Sequence, residues 1–169
     1  MTTKHNRRDF MRGRLKGRPR DPIRPLGAQA DFADLCNACG DCITACPQGI
    51  VMRQEAGGPI VDFSHGSCTF CGECTRSCGT GALLETPPPA WPWHAVITNS
   101  CLSLNGISCR ACEDACDPRA IRFRLMTGGR ATPVLDEALC TGCGECAYTC
   151  PAGAVAFEKA EPITMEAAT

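Results

Sequence analysis

Sixteen cysteines in four short runs dominate the chemistry open to this 169-residue chain. The runs are Cys36, Cys39, Cys42, Cys46; Cys68, Cys71, Cys74, Cys78; Cys101, Cys109, Cys112, Cys116; and Cys140, Cys143, Cys146, Cys150. Three of them read C-x2-C-x2-C-x3-C, and the third reads C-x7-C-x2-C-x3-C. Neighbours in one turn cannot supply the Cα separations and Cβ directions that an ordinary disulfide needs. Thiolates at every third residue suit a soft metal centre instead. Such a loop wraps three sulfurs around one iron-sulfur cube while its amides turn toward the inorganic sulfides. The fourth cysteine of a run, three residues further on, points away from that cube.

Other chemistries fit less of the pattern. A structural zinc site takes two separated Cys pairs per metal and has no use for a third cysteine at the same spacing. A redox dithiol would sit in a thioredoxin-like βαβ context, which surrounds none of the pairs. His65 and His94 lie near runs two and three, but each is a lone histidine in loop composition and is expected in solvent. Tyr148, inside run four, is expected to pack on a cluster edge. Gly79 and Asp117 stand where runs one and four carry Pro47 and Pro151. With no paired carboxylates, Ser-His constellation or phosphate loop in view, no catalytic site is expected, and the chain reads as a non-enzyme.

Runs one and four, CNACGDCITACP and CTGCGECAYTCP, match the bacterial two-cluster ferredoxin pattern including its proline. In that pattern the fourth cysteine crosses to ligate the other cluster. Carried over, the rule implies four 4Fe-4S clusters. Cluster 1 takes Cys36, Cys39, Cys42 and Cys78, and cluster 2 takes Cys68, Cys71, Cys74 and Cys46. Cluster 3 takes Cys101, Cys109, Cys112 and Cys150, and cluster 4 takes Cys140, Cys143, Cys146 and Cys116. Cys101 stands behind a detour, LSLNGIS. Loop closure grows by only roughly 0.6 kcal/mol per doubling of length, and Asn105-Gly106 supplies a turn. Ligation by Cys101 is therefore expected. Without it, cluster 3 would be a 3Fe-4S centre or a cube with a labile iron.

The elements that must hold these cysteines repeat as regularly as the cysteines do. From the last cysteine of one run to the first of the next the chain spans 22, 23 and 24 positions. Each connection carries an apolar β-branched segment, a turn and a second such segment. IVMRQ and PIVDF flank EAGG, and IRFRL and TPVLD flank MTGGR, both of which read as hairpins. Between ALLE and HAVIT lies TPPPAWPW, a stiff linker that cannot join a tight ladder. The predicted fold is α+β: two tandem bacterial two-cluster (2[4Fe-4S]) ferredoxin-like units with short helices and β-hairpins, organised by iron-sulfur clusters. The predicted segments are a basic, flexible tail at 1–27, a first unit at 28–86, a Pro/Trp linker at 87–93, a second unit at 94–159 and a C-terminal tail at 160–169.

Composition agrees with clusters as organisers. The chain is 44% hydrophobic counting its cysteines and only 5% aromatic. Without the cysteines about a third is apolar, against a usual roughly 45–50%. Metal binding then becomes part of the folding free energy, and the cluster-free chain is expected to be largely unfolded. Charge is lopsided. Residues 1–24 hold nine Lys or Arg against Asp9 and Asp21, while residues 25–169 carry a net −8. Four oxidised cubes with their thiolates would each add about −2, taking the body to roughly −16. The tail is either a solvated segment or a docking element for an acidic partner surface. Its NRRDFMRG resembles the core of a twin-arginine export signal, but GRLKGRPRDP follows in place of an apolar stretch, so export is not expected. Residues 1–35 contain no apolar h-region, which favours a reducing compartment.

Taken together, the basic head NRRDFMRGR, the following IRP, the four runs, the Trp at Trp91 and the stretched C-x7-C resemble the NapF family. These are the ferredoxin-type accessory proteins of the periplasmic nitrate reductase system. The resemblance covers nearly the whole chain, and the stretched run and basic head are its specific part. It implies a cytoplasmic iron-sulfur protein whose partner is the cytoplasmic precursor of the catalytic subunit of periplasmic nitrate reductase, which it helps to mature before export. No nucleic-acid partner and no transmembrane segment are expected. The alternative is a polyferredoxin electron-transfer subunit of another oxidoreductase.

Overall fold

The computed structural model describes residues 21–54, 57–85 and 91–159. The basic head up to residue 20, the centre of the proline span and the C-terminal tail lie outside the described residues. In order, the elements are α1 (Phe32–Leu35), α2 (Asp41–Ala45), β1 (Val51–Met52), β2 (Ile60–Val61), α3 (Glu73–Arg76), β3 (Trp93–Ile97), α4 (Ala111–Asp114), β4 (Ile121–Leu125), β5 (Ala131–Leu135), α5 (Glu145–Tyr148) and β6 (Val155–Lys159). No helix among them is long and apolar enough to cross a membrane.

Helices this short close one turn and cannot stand alone. Each of α2 to α5 begins between the second and third cysteines of its run and carries the third as its second residue. The strands form three antiparallel pairs. The two Gly-Gly connections give β1 with β2, Val51 facing Val61, and β4 with β5, Ile121 facing Leu135. The third pair closes the second unit on itself: β3 runs beside β6, from Trp93 opposite Lys159 to Ile97 opposite Val155. In the first unit the matching closure shrinks to one bridge, Ala28 with Leu83. ALLE and HAVIT therefore pair apart from each other, each with the far end of its own unit.

Two predicted boundaries move. The segment read as tail up to residue 27 is ordered structure from Ile23 onward: Val61 donates its amide to the Ile23 carbonyl at 2.7 Å, and Leu84 to Gly27 at 2.8 Å. Pro25 is fully buried, and Arg24 donates to the Pro59 carbonyl at 3.0 Å while lying 5.0 Å over the Phe32 ring. Three apolar residues among prolines, Ile23, Pro25 and Leu26, supply that first strand-like edge. The end of the predicted linker is likewise core, because Trp91 and Trp93 bury their rings. Aromatic area outweighs the stiffness of the flanking prolines.

These tryptophans join the units. The larger core gathers Phe32, Val51, Val61, Phe63, Leu83 and both tryptophans, with Ala147 and Phe157 of the second unit packed against it. Phe63 lies edge-on to Trp91 at 6.1 Å and tilted on Phe157 at 4.8 Å between centroids. The smaller core is Ala95, Ile121 and Cys146, ringed by Phe123, Leu135 and further cysteines.

Candidate metal centres

Cysteines from different runs meet around three small cavities. One is lined by Cys68, Cys71 and Cys74 of run two together with Cys46 of run one, beside Ile50, Val51 and Trp91. A second is lined by Cys140, Cys143 and Cys146 with Cys116, beside Ala95, Ile121 and Phe157. The third is lined by Cys101, Cys109 and Cys112 with Cys150, beside Ile97, Phe123 and Val155. Three consecutive cysteines and one from the paired run thus share each cavity. Of the remaining set, Cys42 is buried and Cys39 exposed, and Cys36 and Cys78 pack with Cys42 on the larger core.

Local backbone explains the wrapping. In runs one, two and four the second residue after the first cysteine is left-handed: Ala38 at φ 57°, Phe70 at 55° and Gly142 at 74°. The residue after the second cysteine is left-handed too, Gly40 at 95°, Gly72 at 76° and Gly144 at 88°. Alternating hands turn successive amides to one side, the arrangement that cradles an anionic centre. Ala38 and Phe70 hold such angles only because the surrounding loop fixes them.

Run three follows another path. Arg110 occupies the glycine position at φ −135°, and the detour replaces the first left-handed step. It folds into consecutive turns, with Asn105 N–H donating to Leu102 at 3.0 Å and Ile107 N–H returning to Leu102 at 2.9 Å. The Asn105 side-chain amide donates to the carbonyls of Asn99 and Cys101, each at 2.8 Å. The buried Ser103 hydroxyl donates to the Ala131 carbonyl on β5. So anchored, the chain returns and Cys101, itself buried, faces the same cavity as Cys109 and Cys112.

Burial and mutual repulsion perturb the cavity thiols. Burial, and after it the neighbouring thiolates of Cys143, Cys140, Cys112 and Cys116, push the Cys146 thiol up to about 12. Burial and then Cys101 push Cys112 up to about 11, with Cys150 and Cys109 adding to the rise. Burial likewise takes Cys68 to about 11 against the opposing Phe70 amide. For Cys42, also raised to about 11, burial comes first and Cys74, Cys36 and Cys39 follow. At Cys78 burial pushes upward, but the Thr80 hydroxyl and the amides of Leu83, Thr80 and Ala82 outweigh it and lower the thiol. Four sulfurs facing an apolar cavity repel one another as thiolates unless a cationic core sits among them. An all-sulfur donor set with apolar walls fits an iron-sulfur cube, which supplies that charge and one-electron redox chemistry. Among the described residues, no group of His, Cys, Asp or Glu converges closely enough to hold a single metal ion.

The other sequence candidates lie apart from the cavities. His65 is exposed, as expected. His94, expected in solvent, keeps only 15% of its side chain exposed on β3, with Nε2 3.9 Å from Glu137. Its strand pairs with β6, His94 standing opposite Glu158. Tyr148 is half exposed and lines none of the three cysteine cavities. Sequence reasoning missed Ser103 and Asn105 as the supports of Cys101, and Phe63 with Ser67 as the seam between units. Only the Asn-Gly turn carried a readable signal.

The geometry defines a class: an iron-sulfur protein of the ferredoxin type built as a tandem. The 4Fe-4S dicluster domain family matches residues 35–82 and again 107–154, the second match beginning beyond Cys101. Over 152 residues the chain is 36% identical to the ferredoxin-type protein NapF of Escherichia coli K12, covering 87% of this chain and 93% of that protein. NapF of Haemophilus influenzae is 41% identical over 124 residues, 73% of this chain and 70% of its own. The chain belongs to the NapF family of ferredoxin-type proteins. It is also similar to the methylamine utilization ferredoxin-type protein MauM of Paracoccus denitrificans, 34% identical over 80% of this chain and 69% of MauM.

Proposed function

We propose that the chain carries four 4Fe-4S clusters and acts in the cytoplasm as an accessory protein to the catalytic subunit of periplasmic nitrate reductase, maturing it before export, with electron transfer as its chemistry. The ligand sets are those in which three cysteines of one run are joined by the last cysteine of its paired run. The observation that carries the cluster reading is that three four-cysteine cavities each mix two runs. The nitrate reductase role rests on the likeness to NapF over 87% of the chain. The chain's part is to hold each cube by four thiolates, to wall it with apolar side chains and to set its potential through amide hydrogen bonds and solvent access.

A second reading has a specific support. The similarity to MauM favours a polyferredoxin subunit serving another oxidoreductase, using the same clusters for continuous current. Anaerobic co-purification with the cytoplasmic precursor of the nitrate reductase catalytic subunit separates the two. Recovery of a stable complex supports maturation. Failure to recover it, together with reduction of a different oxidoreductase at a catalytic rate, sinks it.

A further inference from the structure

We infer that the two units are wired in series, in the spatial order cluster 1, 2, 4, 3, through a contact between Cys68 and Cys143. This rests on the four-cluster reading above and goes beyond it, since paired clusters inside each unit would by themselves make two independent relays. The Cys68 amide donates to the Cys143 carbonyl at 2.7 Å. One of these residues lines the cavity of cluster 2 and the other that of cluster 4. Within a unit the sets also approach: α2, which carries Cys42, packs against α3, which carries Cys74, and α4, which carries Cys112, packs against α5, which carries Cys146. Clusters 1 and 3 are left at the two ends.

The seam is built for close approach. A Cβ at Gly144 would strike the Phe63 ring, so the second unit's ligand loop rests its bare backbone on that ring. The Ser67 hydroxyl donates to the Glu145 carboxylate beside it. A second route runs through rings: Trp91 lines the cluster 2 cavity, Phe157 lines the cluster 4 cavity, and Phe63 touches both. The hydrogen bond and the packed aromatic rings bring the two ligand loops into direct contact. Each step moves one electron and no proton. The donor cube passes from 1+ to 2+ as its neighbour passes from 2+ to 1+, and the first electron comes from a low-potential one-electron donor, for which dithionite serves in the test.

Dithionite-reduced intact protein is examined by EPR relaxation, alongside iron analysis, with the cluster 4 signal defined as the one lost in Cys143→Ala. Cys71→Ala, which strips cluster 2, is expected to slow relaxation of that signal, while Cys39→Ala, which strips cluster 1, leaves it as in the parent. The double variant Phe63→Ala/Ser67→Ala keeps all sixteen cysteines and is expected to retain the parental iron while losing the interaction. Unchanged relaxation in both Cys71→Ala and the double variant, at full parental iron, overturns the series. Parental iron well short of about sixteen atoms overturns the four-cluster reading beneath it, and the iron analysis distinguishes that failure from the first.

Discussion

Asn105 grips Cys101: its side-chain amide donates to the Cys101 carbonyl at 2.8 Å and, at the same distance, to the Asn99 carbonyl just before it. The detour is therefore closed by a side chain that lies inside it. Asn105→Ala removes both bonds, at about 1 kcal/mol each, without touching a cysteine. The expected outcome is a third cluster that loses iron to a chelator sooner than the other three, followed by iron release and EPR.

Cys101→Ala tests the thiol itself. Iron is expected to fall from about sixteen atoms toward about twelve, or one cube to become a 3Fe centre with its own EPR signal. An unchanged count and spectrum would show that Cys101 is a bystander.

Gly144 and Gly72 occupy the same place in their runs, yet their surroundings differ. Alanine at either must adopt a left-handed angle, costing about 1–2 kcal/mol. At Gly72 the new methyl meets the end of the long, half-exposed Arg76 side chain at 3.0 Å, whereas at Gly144 it strikes the Phe63 ring. Overpacking there adds about 1–3 kcal/mol. Thermal bleaching of cluster absorbance is expected to begin at a lower temperature in Gly144→Ala than in Gly72→Ala; equal midpoints would contradict the seam.

Acid and iron removal act on the same thiols. Burial raises Cys42, Cys68 and Cys112 to about 11 and Cys146 to about 12, from 9.0. Groups raised by folding favour the fold below pH 9 and lose that contribution as pH climbs through the raised values. Iron binding has the opposite slope, because ligation expels the thiol protons. Anaerobic reconstitution is expected to yield more iron at pH 8 than at pH 6, and chelation of the loaded protein to erase most far-UV circular dichroism. Loading independent of pH would argue against thiolate ligation.

Much of this architecture was readable because cysteine spacing is a strict geometric code. The bacterial two-cluster pattern, carried onto Cys68, Cys71, Cys74 and Cys46, anticipated the cavity they share, and the Gly-Gly turns predicted both hairpins. What escaped depends on contacts distant in the chain. Trp91 looked like linker because prolines flank it, and Ile23, Pro25 and Leu26 looked like tail because arginines precede them. Neither the Ser67–Glu145 bond nor the Phe63 approach to Gly144 leaves any local signature, since each half is an unremarkable loop residue until the units meet.

The pairing of β3 with β6 has a consequence for synthesis. In a chain leaving the ribosome, β3 and Cys101 emerge long before Cys150 and the strand that must lie beside β3. Until Lys159 appears, the second unit is an open clamp with an unpartnered strand edge in view. The first unit has its cysteines and its Ala28–Leu83 bridge by Leu84, and Trp91 and Trp93 then finish its core before any of this begins. Assembly of the protein is thus ordered in time, the first unit ready to serve as the surface on which Phe157 and the loop around Gly144 settle when the last strand arrives.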